Sequence, residues 1–136
     1  MKLHIDTMLP KDNIAFAEEF KKRTKQFALR IIRLHQNLPK TEEARVIGKQ
    51  LLRSATSVGA NYRAACRARS LAEYHSKLSI VVEEADETAF WLELLIEANV
   101  VLESRLNNLL TEINEILKIV AKARKTVKDN LRGTER

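Results

Sequence analysis

Arginine and lysine side chains recur along one side of the middle of the chain, and cations at this spacing are suited to contacting phosphates. Residues 44–72 contain six Arg or Lys and no Asp or Glu. At about 100° per residue in an α-helix, most of these cations fall within an arc of roughly 80°. We call them the basic edge: Arg45, Lys49, Arg53, Arg63 and Arg67. The pattern predicts a helix with one cationic side.

A second group of cations lies near the end of the chain. We predict phosphate contacts from Lys118, Lys122 and Lys125 within it. Cations near a helix C-terminus also favour the helix dipole, which is the simpler explanation for this group. The basic edge spans a whole helix, and two interpretations of it stay open. In the first, it contacts nucleic-acid phosphates. In the second, it meets residues 73–97 of another subunit, a segment with seven acidic residues and a single base, Lys77.

Apolar residues at steps of three and four predict four helices that would position these charges. We expect them over about 14–36, 41–68, 70–97 and 100–130, with Thr41 and Ser70 as N-caps. Pro39 and the pair Ala98-Asn99 separate helices. Short connections between helices of similar length predict an all-α, antiparallel up-down-up-down four-helix bundle. The expected division is an N-terminal tail at 1–12, the bundle domain at 13–130 and a C-terminal tail at 131–136.

Large apolar side chains also fall outside the core stripe of the third predicted helix. They form a predicted subunit interface, which we call the apolar patch: Ile80, Phe90, Trp91 and Leu94. Contiguous exposed apolar surface commonly marks an interface, so we expect a homo-oligomer. The alternative is that loops or apolar residues of the N-terminal segment cover the patch.

Catalytic and metal-binding patterns are missing from the sequence, so we predict no catalytic residue, metal or cofactor. None of the three histidines belongs to a Glu-x-x-His pair, and no Cys/His cluster suits zinc. The single cysteine, Cys66, and the lack of a long apolar run predict a cytoplasmic protein without membrane contact. One motif points the other way: Arg30 and His35 resemble the Arg-x4-His signature of HEPN ribonucleases.

Two longer segments, 51–65 (LLRSATSVGANYRAA) and 77–95 (with KLSI and EADETAFWLELL), carry a specific resemblance. They closely resemble the four-helix bundle proteins encoded in 23S ribosomal RNA intervening sequences, often labelled S23. The resemblance implies an antiparallel bundle assembling into a ring, commonly a homopentamer, with no established enzymatic activity. It extends to the accessory variability protein of diversity-generating retroelements, a basic pentamer that binds nucleic acid and a reverse transcriptase.

On such a bundle we expect Arg53 to pair with Glu84 or Glu87, and Asn61 to hydrogen bond to the third helix or to a neighbouring backbone carbonyl. The leading functional hypothesis is a non-enzymatic, basic homo-oligomer that binds RNA or DNA through phosphates. The second is a purely structural or protein-interaction oligomer, such as a reverse-transcriptase accessory protein. A HEPN-like ribonuclease is the third.

Overall fold

Four long helices make up the computed structural model, which describes residues 11–134. They are α1 (Lys11–Gln36), α2 (Glu42–Cys66), α3 (Leu71–Glu97) and α4 (Glu103–Thr134). The predicted helices are confirmed, and α4 continues four residues into the segment expected to be a tail. The tail expected at 1–12 lies outside the described residues except for Lys11 and Asp12, which are already helical.

Local sequence signals account for the helix ends. The Thr41 side chain accepts a hydrogen bond from the Ala44 amide at 3.3 Å, and the Ser70 hydroxyl accepts one from the Glu73 amide at 3.1 Å. Both caps satisfy amides that have no partner within their helix. Helix α3 ends at Glu97, and Asn99 follows with φ of 58°, a left-handed conformation that Asn tolerates better than most residues.

The helices pack in the cyclic order α1, α2, α3, α4, and the short connections make consecutive helices antiparallel. The α2–α3 and α3–α4 pairs pack most closely, while α1 and α4 make the weakest contact of the cycle. The largest fully buried side chains come from all four helices: Phe27, Ile31, Leu51, Val58, Leu78, Val81, Leu92, Leu95, Leu106, Ile113 and Ile116. Their burial supplies most of the free energy that holds the helices together.

A buried polar contact joins α2 to α3. The Thr88 hydroxyl donates to the Ser54 hydroxyl at 2.9 Å, and both side chains are fully buried. The Ser54 hydroxyl in turn bonds to the Leu51 carbonyl. Sequence reasoning had expected Asn61 to bond to α3 or to a neighbouring carbonyl. The second alternative is confirmed: the amide nitrogen of Asn61 donates to the Ser57 carbonyl one turn earlier at 3.0 Å, and also to the Ser57 hydroxyl at 2.8 Å.

An ion pair bridges the weak seam between α1 and α4. The Arg23 guanidinium donates to both carboxylate oxygens of Glu112, at 2.8 and 2.7 Å, and also contacts Glu115 at 2.9 Å. A bidentate arginine–carboxylate pair is among the stronger polar contacts in proteins. The hydrogen bonds from Arg23 hold the pKa of the Glu112 carboxyl below its usual value.

Replacing Arg23 with Gln should lower the free energy of unfolding at neutral pH by up to about 1 kcal/mol, because the pair is partly exposed. Because folding lowers the pKa of Glu112, its ionised carboxyl contributes to the free energy of unfolding above the unfolded-state pKa of about 4.3. This contribution is lost as the pH falls through the folded-state pKa. Urea unfolding from neutral pH to about pH 3 should therefore show the difference between wild type and variant shrinking. The control is Arg105→Gln, which removes an exposed arginine near the start of α4. If the difference between wild type and Arg23→Gln did not change with pH, the ion pair with Glu112 would not be its cause.

Candidate nucleic-acid interface

A basic groove of about 500 Å³ runs between α1 and α2, near the end of the bundle where α2 connects to α3. We call this end the basic end. Its cationic lining consists of Lys21, Lys22, Lys25, Arg63 and Arg67. Glu18 is the one acidic residue of the lining. It pairs with Lys21 at 2.5 Å, and this contact keeps the pKa of its carboxyl below the usual value.

Small residues form the floor of this α1–α2 groove. Gly59, Ala60 and Ala28 line it, and a Cβ atom at Gly59 would lie 3.5 Å from the Thr24 carbonyl oxygen of α1. Because α1 and α2 approach each other closely at Gly59, the floor of the groove is formed by small residues and its two sides by the long cationic side chains. The groove has a shallow floor and charged walls, a form suited to following a chain of phosphates.

A second basic groove, also of about 500 Å³, lies between α3 and α4. It is lined by His75, Ser79, Ala121, Arg124, Lys125 and Lys128. No carboxylate is among these residues, and Asp129 is the only acid in the surrounding stretch 119–134. This α3–α4 groove also lies at the basic end, because the first turns of α3 and the last turns of α4 meet there.

The residues of the predicted basic edge separate into three groups, of which the third is Arg53 alone, described in the next paragraph. All five are exposed on a continuous α2, with Arg67 as its C-cap, but only Arg63 and Arg67 line the α1–α2 groove. Arg45 and Lys49 lie on the first turns of α2, toward the opposite end of the bundle. Of the second predicted group, Lys125 lines the α3–α4 groove, whereas Lys118 and Lys122 are exposed outside its lining.

Arg53 makes ion pairs with α3. Its guanidinium contacts Glu84 at 3.0 Å and also pairs with Glu87, as the sequence predicted. Glu87 additionally accepts a hydrogen bond from the Trp91 indole at 3.1 Å, and its pKa is lowered chiefly by the bond to Arg53. Two carboxylates of α3 thus already hold the guanidinium of Arg53, and its contact with phosphate stays a prediction.

Sequence reasoning missed the contribution of α1 to the interface. Residues 21–25 contain four bases among five residues, a signal that the sequence does carry. Glu18 and Glu19 directly precede this run, so it does not stand out along the chain as the acid-free segment 44–72 does. In the structure Lys22 and Glu19 are 72% and 77% exposed, with their charged atoms 3.5 Å apart, so Lys22 keeps wide access to solvent.

The apolar patch is smaller than the sequence suggested. Phe90 is 49% exposed, while Ile80, Trp91 and Leu94 are half buried. The Trp91 ring packs against the core and meets Phe90 edge-on, with ring centroids 5.0 Å apart. Leu94, expected to project from the face opposite the core stripe, is partly covered there rather than fully exposed. The N-terminal residues considered as a cover lie outside the described residues.

The Arg30 and His35 pair does not converge on one site within the chain. Arg30 lines the groove between α1 and α4, beside Glu112. His35 lies on the α2 side of α1, where a Cβ atom at Gly48 would be 3.2 Å from its ring. Within 11–134, no group of His, Cys, Asp or Glu could hold a metal ion, and no helix there is both long and apolar enough to cross a membrane.

The fold and the grooves together define a basic, all-α four-helix bundle. Residues 18–122 match the family model of the 23S rRNA-intervening sequence protein, and the chain belongs to that family. It is also similar to the crystal structure of a protein of unknown function from the S23 ribosomal protein family of Bacteroides thetaiotaomicron VPI-5482. The two share 37% identity with a TM-score of 0.74, over 80% of this chain and 97% of that one. No curated protein gives a significant match.

The ion pairs of Arg53 predict a structural effect for this residue. Arg53→Gln should lower the free energy of unfolding by about 0.5–1 kcal/mol, since its side chain is about half exposed and the pairs are screened by water. Thermal unfolding measures this effect, with Lys49→Gln, one turn earlier and exposed, as the matched control. Equal melting temperatures for the two variants would show that the pairs contribute nothing to the packing of α2 on α3.

Proposed function

We propose that this protein is a non-enzymatic, homo-oligomeric bundle that binds nucleic acid through the phosphate backbone. The observation that carries the proposal is the α1–α2 groove, where five cations face a single carboxylate that is already paired with Lys21. Cations that neutralise phosphates release condensed counterions, and this release drives binding without regard to base sequence.

The chemistry of the groove favours backbone contact over base recognition. Its lining contains no aromatic side chain, and Thr56 is its only uncharged side chain able to hydrogen bond. Tyr62, the one aromatic residue of α2, is buried and packs edge-on against Phe20 at 4.7 Å between ring centroids. Base stacking requires an exposed aromatic face, so we expect affinity with little sequence preference.

The family to which the chain belongs takes its name from intervening sequences of ribosomal RNA, and the name specifies no ligand. RNA is therefore the first polymer to test, with duplex DNA as a comparison. We also propose a cytoplasmic location, where the buried Cys66, which forms no disulfide, would remain reduced. We assign no catalytic step to Arg30 and His35, which lie on different sides of α1.

Self-association through the apolar patch is the second part of the proposal. Phe90 is exposed at its centre, with acids of α3 around it: Glu83, Asp86 and Glu93. An apolar centre with a polar rim is the usual organisation of a subunit interface. A ring, commonly of five subunits in proteins that this sequence resembles, is the assembly we expect.

A structural or protein-interaction oligomer is the second candidate function. The observation that favours it is Arg53, which shows within one chain that a cation of α2 meets carboxylates of α3. The same complementarity between subunits would direct Arg45 and Lys49 toward the acidic face of a neighbour. A reverse transcriptase would be one partner for such an oligomer.

A salt titration of binding to generic RNA and duplex DNA tests the phosphate contacts. We expect affinity to fall steeply with salt, and the RNA to be recovered uncut. Lys25→Gln and Arg63→Gln should each reduce the slope of log K against log salt by about 0.9 on duplex DNA or about 0.7 on single strands.

The control for this titration is the double variant Arg33→Gln, Lys40→Gln, which removes exposed cations at the opposite end of the bundle. Its slope should stay near that of wild type. No binding at low salt would reject nucleic-acid binding in favour of the structural oligomer. If RNA is cleaved, and the His35→Ala variant cleaves it equally well, the cleavage comes from a contaminating nuclease.

Sedimentation velocity tests the subunit interface. Replacing Phe90 and Leu94 with Ser should convert the oligomer to monomers, because the patch loses its exposed ring and a half-buried aliphatic side chain. Leu102→Ser, which changes a 71% exposed side chain between α3 and α4, is the matched control and should leave the oligomer intact. An unchanged sedimentation profile for the double variant would refute the interface.

A further inference from the structure

The two basic grooves lie on opposite faces of the bundle. Helices pack in the order α1, α2, α3, α4, so the α1–α2 groove and the α3–α4 groove are separated by the full thickness of the bundle. Both are at the basic end, but the closely packed α2–α3 pair separates them on one side. On the other side lies the α1–α4 seam, where Glu112 and Glu115 pair with Arg23.

One straight duplex cannot occupy both grooves. Packed helices have axes about 8–10 Å apart and diameters of about 10–12 Å, so the grooves open about 20 Å from each other in opposite directions. Duplex DNA has a persistence length of about 150 base pairs, so even bends of about 40–90° over a whole binding site cost free energy. Turning a duplex back around one small bundle would cost far more.

The α3–α4 groove has the composition of an independent phosphate site. Arg124 and Lys128 are four residues apart, which directs both side chains to the same face of α4, and Lys125 extends the cationic lining. His75 and the Ser79 hydroxyl of α3 stand opposite them. The simpler account, that these cations only complement the dipole of α4, does not explain why they line a groove free of carboxylates with a histidine across it.

We propose that one chain bridges two separate nucleic-acid segments, holding one in each groove. This inference rests on the proposed function, since it requires phosphate binding in the α1–α2 groove. The protein then acts as a crosslinker that brings two duplex segments together at the basic end of the bundle, with no base recognition needed on either side.

A capture experiment with short duplexes, far below the persistence length of about 150 base pairs, tests the bridge. One duplex is fixed to beads and a second, fluorescently labelled duplex is free; the full chain is added at low salt. Wild type should retain the second duplex on the beads. In the Phe90→Ser, Leu94→Ser background, where a monomer has one groove of each kind, adding Arg124→Gln, Lys125→Gln and Lys128→Gln should leave binding to the fixed duplex but reduce capture of the free duplex to the level seen without protein.

Three further variants make the test specific. The mirror variant Lys22→Gln, Lys25→Gln, Arg63→Gln should lose capture in the same way, while keeping binding through the α3–α4 groove. Arg33→Gln, Lys40→Gln, Arg105→Gln removes the same charge at the opposite end and should capture like wild type. The Phe90→Ser, Leu94→Ser variant should also capture the second duplex as a monomer, because both grooves belong to one chain.

The possible outcomes separate this inference from the proposed function. If wild type binds the fixed duplex without capturing the second, or if the monomeric α3–α4 variant captures as well as its Phe90→Ser, Leu94→Ser parent, the bridge is overturned and phosphate binding stands. The second of these results would mean that the α3–α4 groove contributes nothing to capture. If wild type does not bind the fixed duplex at all, the proposed function itself fails. Far-ultraviolet circular dichroism with thermal unfolding confirms that each variant is folded.

Discussion

The packing of α2 against α3 determines which side of α2, and therefore which of its cations, faces the groove with α1. Leu51 and Val58 bury one side of α2, and the fully buried hydroxyls of Ser54 and Thr88 bond to each other within the same seam. Each hydroxyl also bonds to a carbonyl of its own helix, Ser54 to Leu51 and Thr88 to Glu84, so a slip of either helix would break the contact between the helices and misalign the closely packed side chains around it. The seam therefore favours one register, and that register turns Arg63 and Arg67 away from α3 toward the groove with α1.

Charge on this bundle is organised by its antiparallel topology. The last turns of α2 and α4 meet the first turns of α1 and α3 at one end, and cations from distant parts of the chain gather there. Such an end generates a positive potential that attracts polyanions from a distance and weakens with salt. Cations are favourable near helix C-termini, so part of this arrangement also stabilises α2 and α4.

The contrast between Arg53 and Arg63 shows how similar residues on one helix acquire different roles. They are ten residues apart and fall on the same side of α2 when the helix is viewed from its end. Arg53 has Glu84 and Glu87 of α3 within reach, and its cation is held by them. Arg63 lies beside α1 and opens into a groove whose other walls are also cationic. The neighbouring helix decides which of the two cations remains available to a ligand.

The sequence alone determined the four helices, the caps at Thr41 and Ser70, the order of the bundle and the pairing of Arg53, because these depend on local spacing and on contacts between consecutive helices. It also determined the family, through segments within 51–95. Only the tertiary structure brought Lys21, Lys22 and Lys25 beside Arg63, separated Lys125 from Lys118 and Lys122, and partly covered Leu94. The physical reason is that helical periodicity specifies which side of a helix is apolar, whereas a groove depends on the rotation and separation of two helices. Those are set by side chains packing across the whole core.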